Sequence, residues 1–116
     1  MRMPHEVDIY RRNRVDPPGK SPKFDWTVRD EDTEVPAFVQ PASSKAIEIA
    51  RRLRNYSISH TVFFEDDPRL KQQDHILYCG RRLQVQAPAV NLMEMDRYWR
   101  CDVQEIEWIQ NSQENS

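Results

Sequence analysis

Few side chains in this 116-residue sequence have the types and spacing that chemistry requires. A metal site would need histidine and cysteine side chains to converge, and no pair of them has a spacing typical of metal ligands. The candidates are His5, His60, His75, Cys79 and Cys101. We expect the two cysteines to be small buried thiols on neighbouring strands, so no metal site is predicted.

Catalytic groups are equally sparse. Carboxylates cluster at 30–32 and 66–67, but both groups lie in polar segments, where we expect solvated charge rather than the shifted pKa that acid–base work needs. Ser43, Ser44 and His60 include a hydroxyl and a base, yet no nucleophile-elbow pattern surrounds them. Two glycines leave no phosphate-binding loop. We therefore predict neither an enzyme nor a bound cofactor.

The basic cluster of Arg51, Arg52 and Arg54 permits three interpretations. It forms a solvated helix face, or it pairs with an acidic neighbour such as residues 30–34 of another copy, or it meets nucleic-acid phosphates. The sequence alone does not choose among them.

Charge alternates in blocks, although the net charge of −2 gives no overall attraction to nucleic acid. Residues 1–24 carry six positive and three negative charges, and residues 25–36 carry one positive and five negative. Residues 37–57 carry four positive and one negative, and the last sixteen residues carry four negative charges only. Besides an ordinary solvated surface, this pattern fits surfaces of opposite sign that meet between copies or partners.

Composition bounds the class of protein. Hydrophobic residues make up 38% of the chain and charged residues 31%. A chain of this length forms one domain, residues 1–116. Its thin apolar content predicts either poorly packed ends or apolar surface that is buried against other subunits. No segment is apolar enough for a membrane span or a secretory signal, and two cysteines make no disulfide framework. We expect a reduced protein made in the cytoplasm.

One helix is predicted, at about residues 44–55. Ser43 and Ser44 offer N-caps, and Glu48 and Arg52 form a favourable i,i+4 pair. The helical spacing of four apolar residues predicts a buried stripe. Its members are Ala46, Ile49, Ala50 and Leu53.

Period-2 alternation and turn residues predict about six short strands. They span residues 5–11, 34–41, 58–65, 75–79, 83–87 and 97–107, with a proline-rich loop at 14–26, a hairpin turn at 80–82 and a mobile tail at 109–116. Pro36 and Pro41 favour an edge position for the second strand. The fold class is mainly β, a small antiparallel β-barrel with one α-helix.

Three stretches together resemble the bacteriophage head–tail joining family, the adaptor or stopper proteins beneath the portal. They are VPAFVQPASS (35–44), a strand, loop and hairpin at 57–86, and the closing strand DRYWRCDVQEIE (96–107). In the second stretch, the family's D-x-R loop and ILY-x-GR hairpin match Asp67, Arg69, Ile76, Tyr78, Gly80 and Arg81. The likeness spans about residues 7–107, and its weight lies in the order and spacing of motifs.

The resemblance implies a structural virion protein without enzyme activity. Such subunits form a homo-oligomeric ring below the portal–adaptor complex, help to retain packaged DNA and offer the surface for tail or tail-completion proteins. We would then expect assembly in the bacterial host cytoplasm, in a phage or a prophage-like particle, with no membrane partner.

The resemblance also implies candidate residues. The segment after the VQP strand can project toward the DNA channel in stoppers; here it is Pro41 to Ser57, although its basic, helix-favouring character fits a fixed helix equally well. The candidate channel-facing or inter-subunit residues are Pro41, Ser43, Ser44, Lys45, Glu48, Arg51, Arg52 and Arg54. The candidate interface loop contributes Asp66, Asp67, Arg69 and Lys71.

A nucleic-acid-binding module on a small barrel is the alternative function. Such barrels stack bases on exposed aromatic side chains beside basic grooves. The side chains that would supply this are Phe63, Tyr78, Tyr98 and Trp99 with Arg81, Arg82, Arg97 and Arg100. The usual excess of basic residues is absent.

Overall fold

The computed structural model describes residues 3–92 and 98–107. Its strands are β1 (His5–Val15), β2 (Lys23–Val28), β3 (Val35–Pro41), β4 (His60–Phe64), β5 (His75–Tyr78), β6 (Arg81–Val85), β7 (Val90–Leu92) and β8 (Tyr98–Ile106). The helix α1 (Ser44–Ile49) continues into a π-helical turn at Ala50–Arg54, and a 3₁₀ turn covers Asp30–Asp32. The predicted tail at 109–116 lies outside the described residues.

Six of the strands close into an antiparallel barrel. The order around it is β1, β3, β4, β8, β6 and β5, and β5 pairs again with β1. The predicted fold class, a mainly β barrel with one short helix, is confirmed. The edge position predicted for β3 is wrong, because β3 pairs with β1 through residues 35–37 and with β4 through residues 38–41. Pro36 thus lies in the half of β3 that pairs with β1, and Pro41 lies in the half that pairs with β4.

Alternate residues of the barrel strands point inward and form the core. Val7 and Ile9 on β1 and Val62 and Phe64 on β4 are almost fully buried, as their period-2 spacing predicts. The rest of the buried cluster is Ala37, Val39, Leu70, Ile76, Leu83, Val85, Cys101 and Val103. Cys101 is buried as expected, whereas Cys79 is exposed, so that half of the cysteine prediction is wrong.

A two-stranded arm extends from the barrel, where the sequence predicts only a loop at 14–26. Residues 10–15 of β1 pair with residues 23–28 of β2. Both faces of this ribbon meet solvent: Val15 is 43% exposed and Phe24 45%. The arm therefore lacks the one-sided burial that makes a strand easy to recognise, and its prolines stay in the connecting turn.

The hairpin between β5 and β6 turns one residue earlier than predicted. Tyr78 pairs with Arg81, so the turn consists of Cys79 and Gly80 instead of residues 80–82. Both have positive φ, 49° and 77°. This is the type I′ geometry that matches the twist of short hairpins.

The helix is present, but its predicted apolar stripe is not buried as a whole. Ala50 is 2% exposed, whereas Ile49 is 39% and Leu53 79% exposed. The helical segment is thus buried at Ala50 and exposes most of its larger apolar side chains to solvent. No helix among the described residues is long and apolar enough to cross a membrane.

Candidate interaction surfaces

Two surfaces lie at opposite ends of β4. The connection from β3 to β4 contains the helix and enters β4 at His60, whereas the connection to β5 leaves β4 after Phe64. The candidate residues of Pro41 to Ser57 belong to the first surface, and the candidate interface loop belongs to the second. The two groups therefore do not form one site within a single chain.

Local hydrogen bonds define the helix as the sequence predicts. The hydroxyl of Ser43 accepts from the backbone N–H of Ala46 at 3.1 Å and caps the helix. Glu48 and Arg52 form the expected ion pair at 3.1 Å, and both side chains are exposed. Asn55 ends the helix in the left-handed conformation with φ 59°.

A polar cluster anchors the helix C-terminus to the barrel. The hydroxyl of Tyr56 donates to Asp102 Oδ2 at 2.9 Å, and Arg54 donates to the same oxygen at 3.3 Å. Arg100 lies 3.4 Å from Oδ1 of this carboxylate, which is buried on β8. Burial raises the pKa of Tyr56, with a further contribution from Asp102. Of the arginine cluster, Arg54 is thus fixed to the barrel.

A small hollow of about 260 Å³ separates the helix from β8. Ser43, Lys45, Arg54, Arg100 and Asp102 supply its polar groups. Arg51 and Arg52 do not line it and face solvent. The helix segment therefore combines one polar anchor with an outward face that carries both charge and apolar atoms.

A single arginine fixes the second surface. Arg11 Nε and Nη2 donate to the two oxygens of Asp32 at 3.2 and 3.0 Å. The same guanidinium donates to the backbone carbonyl of Pro68 at 2.8 Å and to that of Arg69 at 2.6 Å. It joins the 3₁₀ turn to the interface loop, and the expectation of a solvated Asp32 is wrong because this buried carboxylate has a bidentate partner.

Asp74 holds the other end of the interface loop. Its buried carboxylate accepts from the backbone N–H of Arg12 at 3.0 Å and from that of Lys71 at 2.9 Å. Asp67 accepts from the backbone N–H of Arg69 at 2.8 Å. The loop is therefore a defined structure despite its polar sequence.

We call the concavity between the 3₁₀ turn and this loop the acidic cleft. Its volume is about 450 Å³. The acidic side chains that line it are Glu31, Asp32, Glu65, Asp66 and Asp67. Three arginines, Arg11, Arg29 and Arg69, also line it. Three of the four predicted loop residues lie here, and Lys71 does not.

A stacked group attaches the arm to the barrel, and sequence reasoning missed it. Trp26 on β2 stacks on His75, and Arg82 Nε donates to His75 Nδ1 at 3.0 Å. The Arg82 guanidinium also lies 4.1 Å from the ring centroid of Tyr10. The alternation of Phe24, Trp26 and Val28 was the available signal.

The side chains of the nucleic-acid alternative do not form one exposed platform. Tyr78 and Trp99 are partly buried against the core, and Phe63 packs beside Phe38 with ring centroids 6.2 Å apart. Arg82 is buried beneath the arm. Arg97 lies outside the described residues. Within the described part of the chain, no three His, Cys, Asp or Glu side chains are grouped to hold a metal ion.

The protein is a small β-barrel with a projecting two-stranded arm and a peripheral helix. A solved structure shares this fold. It is the protein xkdH of the phage-like element PBSX from Bacillus subtilis. The similarity covers 86% of this chain and 92% of that one, with a TM-score of 0.54 and 14% sequence identity. No family model matches the sequence, and the comparison with curated proteins found no match.

Proposed function

We propose that this protein is a structural subunit of a tailed phage or prophage-like particle, a ring-forming connector or stopper that docks below the portal–adaptor complex. In that place it helps to retain packaged DNA and provides a surface for tail attachment. Its partners are further copies of itself, the portal or adaptor above and tail or tail-completion proteins below. It acts without enzymatic chemistry.

The fold shared with a protein of a phage-like element carries this proposal. The match extends over nearly the whole of both chains, so it concerns the entire architecture and not a common hairpin. It agrees with the order of motifs in the sequence, which resembles head–tail joining proteins independently of the coordinates.

The distribution of apolar surface supports an assembled state. Large apolar side chains are exposed in three separate places: on the arm at Val15 and Phe24, on the helix at Leu53, and on β7 at Val90. On the helix, Ile49 (39% exposed) and Leu53 (79% exposed) lie one turn apart and form neighbouring apolar surface. Contiguous exposed apolar surface marks interaction sites, so this pair supports a partner on the helix. A ring subunit needs such contacts with neighbours on both sides and with components above and below.

The first experiment measures the mass of the purified chain, alone and mixed with a portal or adaptor protein from the same phage or prophage. Light scattering gives the mass and negative-stain imaging the shape. We expect rings, or a monomer that becomes a ring on the partner. A monomer that associates with neither portal nor tail components contradicts the proposal. Binding of single strands that weakens along a salt series would then favour the nucleic-acid module.

A further inference from the structure

We propose that the exposed helix of one copy docks into the acidic cleft of the next, so that copies join head to tail. This inference rests on the ring assembly proposed above and names the contact that builds it. The occupant of the cleft is a second copy of this chain.

The placement of the two surfaces supports a head-to-tail contact. The helix leads into the first residue of β4, whereas the acidic cleft lies at the last residues of β4 and the first residues of its antiparallel neighbour β3. The two surfaces therefore lie at opposite ends of β4. One copy cannot satisfy both surfaces by itself. A contact between two different surfaces of identical copies repeats from copy to copy, and it closes into a ring when the rotation permits.

The outward face of the helix combines apolar atoms with positive charge. Lys45, Glu48, Ile49, Arg52 and Leu53 border a shallow hollow of about 330 Å³ on this face. Leu53 is 79% exposed. An exposed apolar patch rimmed by polar side chains marks an interaction surface, and arginine is enriched at protein interfaces. An all-charged face would instead be adequately solvated by water.

The acidic cleft has the opposite charge. Five acidic and three basic residues line it, which leaves a net charge of −2, and the guanidinium of Arg11 is already bound to Asp32. Glu31, Glu65 and Asp66 have no hydrogen bond or ion pair within the described part of the chain. These carboxylates are available to a partner.

The cleft also offers an apolar floor. Val35, Pro36 and Phe64 line it as well: Pro36 is exposed, Val35 is half-buried and Phe64 is almost fully buried. Leu53 can therefore contact Val35 and Pro36 while arginines of the helix meet the carboxylates above. Residues 44–54 carry four basic side chains and one acidic one, so the charges of helix and cleft are complementary.

Duplex DNA is the competing occupant of the helix face. Phosphates would pair with Arg51 and Arg52, but they would leave Leu53 and Ile49 in water. They would also leave the acidic cleft without a partner. The second copy accounts for both surfaces, and DNA accounts for one.

Disulfide trapping tests the contact without requiring a stable ring. In a Cys79→Ser background, Leu53→Cys places a thiol on the helix and Pro36→Cys places one on the cleft floor. Oxidation of the double variant should give a ladder of covalent oligomers. Oxidation of the two single variants mixed together should give a heterodimer and no larger product, because each copy then carries only one of the two engineered thiols. The singles alone should stay monomeric.

Charge reversal provides the matched test. Replacing Arg51 and Arg52 by Glu, or Glu65 and Asp66 by Lys, should each reduce the trapped yield at least about tenfold, and the two reversals combined should restore it. Arg14→Glu with Lys20→Glu on the arm makes the same change in net charge as the helix reversal. It should leave the yield unchanged, because neither residue belongs to the helix or to the acidic cleft. If neither charge reversal lowers the yield of disulfide-linked oligomers, the inference is overturned.

The outcomes separate this inference from the proposed function. Rings on a portal without helix-to-cleft trapping overturn the contact and leave the connector function standing. A chain that neither traps nor assembles contradicts both. Duplex DNA binding that requires Arg51 and Arg52, without trapping, assigns the helix face to phosphates and overturns the inference.

Discussion

The indole ring of Trp26 stacks on the imidazole of His75, with centroids 4.5 Å apart and ring planes 11° from parallel. Trp26 also donates from Nε1 to the backbone carbonyl of Gln73 at 2.8 Å. Because the Arg82 Nε–H points at His75 Nδ1, that nitrogen must be the acceptor of a neutral ring. The stacked contact between the arm and the barrel therefore depends on the protonation state of His75, whereas the hydrogen bond from Trp26 to Gln73 does not.

Stability should consequently fall in mild acid. Burial, together with the charge of Arg82, lowers the pKa of His75 from 6.5 to about 4. Between these values the unfolded chain binds a proton that the folded chain excludes, so the free energy of unfolding decreases as the pH falls through this window. The loss amounts to about 3 kcal/mol. Urea unfolding across this range should reveal it, and His75→Gln should reduce the slope. An unchanged slope would assign the effect to other groups.

Substitution of Arg11 should destabilise the folded protein more than substitution of an exposed arginine. Arg11→Met removes the bidentate partner of buried Asp32 and two loop hydrogen bonds, which should lower the free energy of unfolding by about 3 kcal/mol. Arg14→Met is the control, because the Arg14–Asp16 pair is more than half exposed, and its cost should be below about 0.5 kcal/mol. Equal costs in denaturant unfolding would contradict the role given to Arg11.

Tyr56 should control how firmly the helix is held. Tyr56→Phe keeps the ring but removes the hydrogen bond to Asp102, at an expected cost of about 1 kcal/mol. Hydrogen exchange should accelerate across residues 44–56 and remain unchanged in β1 and β5. Uniform acceleration would instead indicate a global loss of stability, and no acceleration would show that Tyr56 is not the anchor.

Substitutions in the Cys79–Gly80 turn should change the stability of the protein in opposite directions. Gly80→Ala places a side chain at φ 77° and should lower stability by about 1 kcal/mol. Cys79→Asn should raise it by about 0.5 kcal/mol, since asparagine tolerates the positive φ that cysteine disfavours. Thermal unfolding of both variants measures the difference, and a stabilising Gly80→Ala would rule out the type I′ geometry.

The two thiols should react very differently. Burial raises the pKa of Cys101 well above its ordinary value, and the nearby carboxylates of Asp102 and Asp74 act in the same direction. Cys79 is exposed. A chromogenic disulfide reagent should therefore label one thiol per folded chain and both in denaturant. Rapid labelling of two thiols in the folded protein would contradict the closed core.

The sequence was informative where one face of an element is buried. The alternation around Val62 and Phe64 and the caps of the helix predict elements that the structure contains. The β-barrel follows from these short strands and frequent turns. The arm was missed because neither face of β2 is fully buried and the prolines before Lys23 resemble a continuous loop.

The candidate surfaces were harder to predict for a related reason. Helical spacing at Ile49 and Leu53 indicates an apolar stripe, but it does not say whether the covering surface belongs to the same chain. The burial of Asp32 depends on Arg11, which is 21 residues away in sequence. Such a pairing becomes visible only after the barrel brings β1 and the 3₁₀ turn together.

One unbroken strand has a mechanical consequence. β1 pairs in succession with β3, with β5 and with β2, so it belongs to both the barrel and the arm. A pull on the tip of the arm along this strand would load the hydrogen bonds of β1 with β3 and with β5 in shear, where they must break together. Under force, the arm and the barrel should therefore move as one rigid unit, because β1 joins them and Trp26 stacks against the barrel beside it.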